Sequence, residues 1–232
     1  ADEAAFEKYS GQIAAVLVEP VAANMGVVPP KEGYLKSLRR ICEDNKAVLV
    51  FDEVRTGFRV SSGGAQELYG VTPDLTALGK AISNGYPVSA LVGRRDVMLA
   101  SQATFISSTY FPNGLSMAAA VATLELLQRE SVLAQIEATG RELETGLQAI
   151  VAETALPVTL SPYPQMPFLY FDRSIADGQD ARRDRFYGAL AQRGIFAHPR
   201  HHGFLSWQHR QQEVAQLLDT VRDVLEKRMA AS

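Results

Sequence analysis

Three ionisable residues stand where short apolar runs stop. Glu19 closes the run IAAVLV at 13–18, Asp52 closes AVLVF at 47–51, and Lys80 follows LTAL at 75–78 after Gly79. In open α/β sheets, ligands collect outside the carboxyl ends of the strands, so polar side chains at such positions can meet a bound molecule. A lysine amine near an apolar sheet end loses its proton at modest cost and can bond a carbonyl as a Schiff base. A cofactor with a pyridine nitrogen needs a carboxylate beside that nitrogen, which keeps it protonated and makes the ring an electron sink. Asp52 and Lys80 on neighbouring strand ends meet both demands. Each residue also has a plain structural reading: an Asp at a strand end forms a turn or caps a helix, a Lys after Gly is solvated, and Glu19 before Pro20 caps a loop.

The elements that must carry these residues are legible as patterns. Runs 13–18 and 47–51 are continuous and apolar, as strands buried on both faces are. Between them a helix begins after Pro29-Pro30, with Leu35, Leu38, Ile41 and Cys42 at helical spacing. Together they predict a βαβ unit with parallel strands. Residues 75–78 and 88–92 predict further short strands, and 117–128 a helix whose Ala118, Ala119, Ala120 and Ala122 give a small packing face. Beyond that come a helix over 142–151, a strand over 167–171, a helix over 181–193 capped by Asp180, and a last helix with one stripe of Val214, Leu217, Leu218, Val221 and Leu225. The predicted organisation is a mostly parallel α/β part over 1–130 and a smaller α+β part over 131–232.

Composition narrows the class. The 232 residues are 47% hydrophobic and 21% charged, which suits a globular chain able to bury a core and excludes a disordered or fibrous one. The formal net charge of −3 offers no basic excess for nucleic acid or an anionic membrane. No apolar run reaches the roughly 20 residues that span a bilayer. The single cysteine, Cys42, cannot form an internal disulfide, which favours a reducing, cytoplasmic compartment. The start, ADEAAFE, is acidic, helix-like and unlike a signal peptide, and it lacks an initiator Met, so the chain is expected to be a piece of something longer.

Longer motifs carry a resemblance. VEPVAANMGVVPP at 18–30, FDEVRTGFRV at 51–60, GGAQ at 63–66 and GVTPDLTALGK at 70–80 resemble class III pyridoxal-phosphate-dependent aminotransferases, most closely the glutamate-1-semialdehyde 2,1-aminomutase branch. The resemblance is dense over 13–130 and looser afterwards. It implies the fold-type-I architecture: part of the large cofactor domain, then the small C-terminal domain. It implies pyridoxal 5'-phosphate as cofactor, a small-molecule amino donor and carbonyl acceptor as substrates, and a homodimer. By resemblance, Lys80 holds the cofactor and moves the proton, Asp52 meets the pyridine nitrogen, and Val54 packs on a ring face. Asn24 lies near the phenolic oxygen, and Thr109 reaches the phosphate of the neighbouring subunit's cofactor. Asn24, Asp52 and Lys80 are spaced 28 and 28 residues apart, as in that branch.

The sequence also departs from the family. The glycine-rich phosphate cup and the stacking aromatic ring of the family's first half are not found here, and Ser61-Ser62-Gly63-Gly64 reads as a plain loop. Tyr110-Phe111-Pro112-Asn113-Gly114 stands where the family has Gly-Asn-Pro. AHPRHHGFLS at 197–206 replaces the segment that carries the aminomutase's gating glutamate. Its three histidines read as a loop and not as a metal site, since no carboxylate or cysteine accompanies them. Arg200 in that loop is a candidate for a substrate carboxylate. Three functions follow as expectations: an aminotransferase working through a Lys80 Schiff base, an aminomutase moving the amino group within one molecule, or a catalytically silent chain that dimerises. With sheet edges left open, the chain is expected to need a missing N-terminal half or partner chain, to aggregate, or to form rearranged dimers.

Overall fold

The computed structural model describes residues 2–107, 109, 111, 113–154, 158–171 and 179–229. These fall into two compact units, 1–22 with 29–131, and 23–28 with 132–232.

The first unit is α/β. Its elements are α1 (Asp2–Lys8), β1 (Ala15–Val18), α2 (Tyr34–Asp44), β2 (Val48–Asp52), α3 (Gly64–Tyr69), β3 (Leu75–Leu78), β4 (Ala90–Gly93), α4 (Arg95–Leu99) and α5 (Gly114–Arg129). The four strands form one sheet in the order β1-β2-β3-β4. β1, β2 and β3 are parallel, with Val18 opposite Phe51 and Asp52 opposite Ala77, and β4 returns antiparallel along β3. A crossover helix such as α2 makes β1 and β2 parallel, whereas the connection to β4 reverses the chain. α2 buries Leu35, Leu38, Ile41 and Cys42, the four residues its spacing marks. They pack with Leu49 and Phe51 of β2, Phe6 of α1 and Val71 in one apolar cluster.

α5 begins three residues earlier than its apolar pattern predicts, because Asn113 caps it: the side chain accepts from Ser116 N–H at 3.1 Å. Its small-residue face is not a buried seam. Ala118 and Ala122 are exposed, Ala119 and Ala120 half-buried, and Leu115, Met117 and Val121 face solvent in this chain. α5 packs instead on the 3-10 turn Lys80–Ser83.

The second unit is built on α6 (Val132–Thr154), the hairpin β5 (Val158–Leu160) and β6 (Leu169–Phe171), α7 (Gln179–Ala191) and α8 (Gln211–Met229). Its core gathers Leu143, Leu147 and Ile150 of α6, Phe186 and Leu190 of α7, and Val214, Val221, Val224 and Leu225 of α8. β5 has no sequence signal of its own: three residues, one of them the exposed Thr159, are too few to show a period. Asp180 does not precede α7 as a cap. It lies in the first turn and pairs with Arg183 at 2.7 Å, where a negative charge still complements the helix dipole.

Candidate active site

The parallel register sets the site. Asp52 is the last residue of β2 and lies opposite Ala77, so Lys80 follows only three residues after Asp52's partner on β3. Glu19 follows Val18, which lies opposite Phe51, so it falls at the same end of the sheet. Three polar residues from β1, β2 and β3 are thus brought to one row of strand ends.

Each is shaped locally. Asp52 forms a turn: its Oδ1 accepts from Val54 N–H at 3.0 Å. Gly79 lets that turn approach, because a Cβ at residue 79 would lie 3.3 Å from Val54 Cγ1. Val54 and the backbone before Lys80 therefore pack together. Lys80 itself has φ 46, in the left-handed region that costs a non-glycine residue on the order of 1 kcal/mol. Strain of that kind is tolerated where the surroundings fix it, and α5 packs over this turn.

The electrostatics are mixed. Lys80 is exposed in this chain, yet the desolvation it does undergo pushes its amine below its ordinary value, and the Arg55 guanidinium pushes it further. Asp52 opposes, Arg59 adds to the lowering, and Glu19 opposes. Burial alone pushes the Arg59 guanidinium down to about 10. Arg55 and Arg59 are linked through Arg59 Nε, which donates to Arg55 O at 3.0 Å. Sequence reasoning did not single out either arginine. The signal available was their proximity to Asp52 in FDEVRTGFRV.

The other predicted residues lie on other segments of the chain. Thr109 is exposed in a turn of the first unit; its neighbours Ser108, Tyr110 and Pro112 lie outside the described residues. Asn24 is exposed in the 3-10 turn Ala23–Met25 and belongs to the second unit. Arg200, also in the second unit, is exposed, and its Nη2 donates to Asp184 of α7 at 3.0 Å. In the same loop His201 and His202 stack at 4.5 Å, and Phe204 meets His202 edge-on at 4.6 Å. Among the described residues no helix is long and apolar enough to cross a membrane.

The sheet sets an acid and a lysine at adjacent strand ends, where ligands of α/β proteins collect, and comparison with known proteins identifies the class. The chain belongs to the class-III aminotransferase family, whose model matches residues 2–159. It is 36% identical over 226 residues to the 3-aminobutyryl-CoA aminotransferase of Cloacimonas acidaminovorans, covering 96% of this chain and 55% of that protein. It is 40% identical over 235 residues to the glutamate-1-semialdehyde 2,1-aminomutase of Thermomicrobium roseum, covering 96% and 55%. The solved structure of the Sphingopyxis sp. MTA144 FumI protein in its pyridoxal-phosphate internal aldimine form superposes with a TM-score of 0.91 at 30% identity, over 98% of this chain and 55% of that one. The fold is therefore that of the fold-type-I enzymes, and the chain spans about half the length of the relatives it matches.

Proposed function

We propose that this chain carries the lysine-bearing part of a pyridoxal 5'-phosphate-dependent aminotransferase site, acting on an amino acid or amine and a carbonyl acceptor. The observation that carries this reading is the register that sets Asp52 opposite Ala77, three residues before Lys80, at the carboxyl end of a parallel sheet. The residues present fit the cofactor. Lys80 would hold it through Nζ, Asp52 would hold its ring nitrogen, and Val54 supplies an apolar surface already packed on Gly79.

When bound, the cofactor supplies a ring that takes up the charge left when a substrate C–H loses its proton. The chain's own residues prepare that transfer. Because its amine is held below the ordinary lysine value, a larger share of Lys80 is neutral near pH 7, and a neutral Nζ can accept a proton as a general base. Asp52, fixed by its own turn, presents its carboxyl group without having to reorganise during the reaction.

The finer assignments belong to the same proposal. Residues 1–130 form part of the cofactor-binding domain and 131–232 the small domain. Asn24 serves the phenolic oxygen, Thr109 the cofactor phosphate of a second subunit in a homodimer, and Arg200 a substrate carboxylate. For Arg200, substrate must displace Asp184. The rest of the phosphate site comes from polypeptide outside this sequence, and the reduced, buried Cys42 suits the cytoplasm. The 40% identity to an aminomutase supports intramolecular amino transfer as a second reading, which product analysis without an added amino acceptor separates from the first.

The test is direct. The chain incubated with pyridoxal phosphate and reduced with borohydride should carry the adduct on the Lys80 peptide, and Lys80→Ala should lose it. An adduct of equal yield in Lys80→Ala would overturn the reading.

A further inference from the structure

Between Asp52 and Val54 lies an acid that the chemistry above does not use. Glu53 is completely buried, which a carboxyl group tolerates only when its oxygens are satisfied. Oε2 accepts from Thr56 Oγ1 at 2.9 Å and from Ala65 N–H at 2.5 Å; Oε1 accepts from Gln66 N–H and Gln66 Nε2, each at 3.2 Å. Gln66 Nε2 also donates to Thr76 Oγ1 on β3 at 3.2 Å. Glu53 N–H donates to Ala77 O at 2.9 Å, so the ladder between β2 and β3 runs one residue past Asp52. Gly64 has φ 73, and a Cβ there would collide with the Glu53 carboxyl group, so the loop 57–64 closes around this side chain and no larger residue fits.

These bonds converge on one mechanical result. The carboxyl group gathers the start of α3, the turn after β2 and, through Gln66, the buried Thr76 of β3. The two chain segments so joined are those that end in Asp52 and lead into Lys80. We propose that Glu53 is a positioning residue: its buried carboxyl group fixes the strand end bearing Asp52 to the strand end bearing Lys80, and so sets the span that the cofactor must bridge. This rests on the assignment of Asp52 and Lys80 to the cofactor.

The charges acting on Lys80 are Arg55, Asp52, Arg59 and Glu19. Arg55 and Arg59 lie in the segment that the Glu53 network closes, and loosening it frees both guanidinium groups, which raises the already exposed Lys80 toward an ordinary lysine. Loss of Glu53 acting only through its own charge would do the opposite and lower Lys80 further. The sign therefore separates positioning from simple electrostatics.

The experiment is competitive acetylation of the full 232-residue chain across pH, read on the Lys80 peptide by mass spectrometry, with Lys31 and Lys36 as internal controls. In Glu53→Gln, Lys80 acetylation near pH 8 should fall by about threefold or more relative to the controls, while Asp74→Asn, at the other end of β3, leaves it unchanged. A folded Glu53→Gln with the unaltered Lys80 profile, one with Lys80 shifted downward, or an equal effect of Asp74→Asn overturns the proposal. If Glu53→Gln does not fold, Thr56→Val and Gln66→Leu each remove donors to the same group; a smaller loss of Lys80 acetylation in both supports the proposal, and unchanged profiles in both overturn it. Failure of the cofactor assignment reads out separately, as absence of the borohydride-stable adduct on unaltered Lys80.

Discussion

The two ends of the β2–β3 pair each hold a buried acid, and they hold it differently. At the amino end of β3, Asp74 accepts from Leu49 N–H at 2.7 Å and from two guanidinium groups, Arg39 at 2.8 Å and Arg94 at 2.7 Å. At the carboxyl end of β2, Glu53 is met by a hydroxyl, two backbone N–H groups and an amide. One end is fastened by opposite charges, the other by neutral dipoles. Charges placed beside Glu53 would add their field to that of the groups around Lys80. Neutral donors fasten the strands without setting a further full charge beside the groups that act on Lys80. The contrast assigns stability chiefly to the Asp74 end and positioning to the Glu53 end.

The sharpest way to break this contrast is Asp74→Asn. It leaves Arg39, partly buried, with only the exposed Glu43 as an acid partner, and removing one partner of a buried pair costs on the order of 3 kcal/mol. Urea unfolding at neutral pH measures it, and a loss below about 1 kcal/mol would erase the distinction. The same residue sets an acid limb. Burial raises the Asp74 carboxyl, but Leu49 N–H, Arg94 and Arg39 outweigh it and hold it below the usual carboxylate range. A depressed folded value means its stabilisation is present above the unfolded aspartate value and is lost as pH falls through the folded one. Asp74→Asn should therefore flatten the fall in stability on acidification; an equally steep fall would place the acid sensitivity elsewhere.

Next in size is Gly64→Ala, which forces a side chain into the left-handed region and into the Glu53 carboxyl group. About 2 kcal/mol of stability should be lost, with the Lys80 acetylation profile moving to higher pH, and acetylation near pH 8 falling, as in Glu53→Gln. A Gly64→Ala chain of full stability would mean the loop closes without needing that contact. The smallest effect belongs to Arg200→Ala. Its ion pair with Asp184 is exposed on both sides, so the melting transition should shift by no more than about 0.5 kcal/mol. A larger loss would make Arg200 structural and count against a substrate role.

Much of the fold is written locally. Leu35, Leu38, Ile41 and Cys42 announce the buried face of α2, and the apolar runs before Glu19, Asp52 and Lys80 announce β1, β2 and β3. The short helix-like start becomes α1. The reading fails where the cause lies far away in the chain. β5 exists because β6 pairs with it, and α5 keeps exposed a face that its composition would bury. Glu53 carries no local signal, since its partners Ala65 and Gln66 lie 12 and 13 residues on and no period links them.

By itself the sequence determined the order and type of the main elements and put an acid and a lysine at strand ends, because apolar period, proline and glycine act within a few residues. Only the tertiary structure decided which strand ends meet, that Asp52 lies opposite Ala77, that the Arg55 charge acts on Lys80, and that Asn24 and Arg200 belong to the other unit. Those outcomes depend on pairing and packing between segments far apart in the chain, where the free energy of burying a face or satisfying a buried carboxyl group chooses the partner and local pattern cannot.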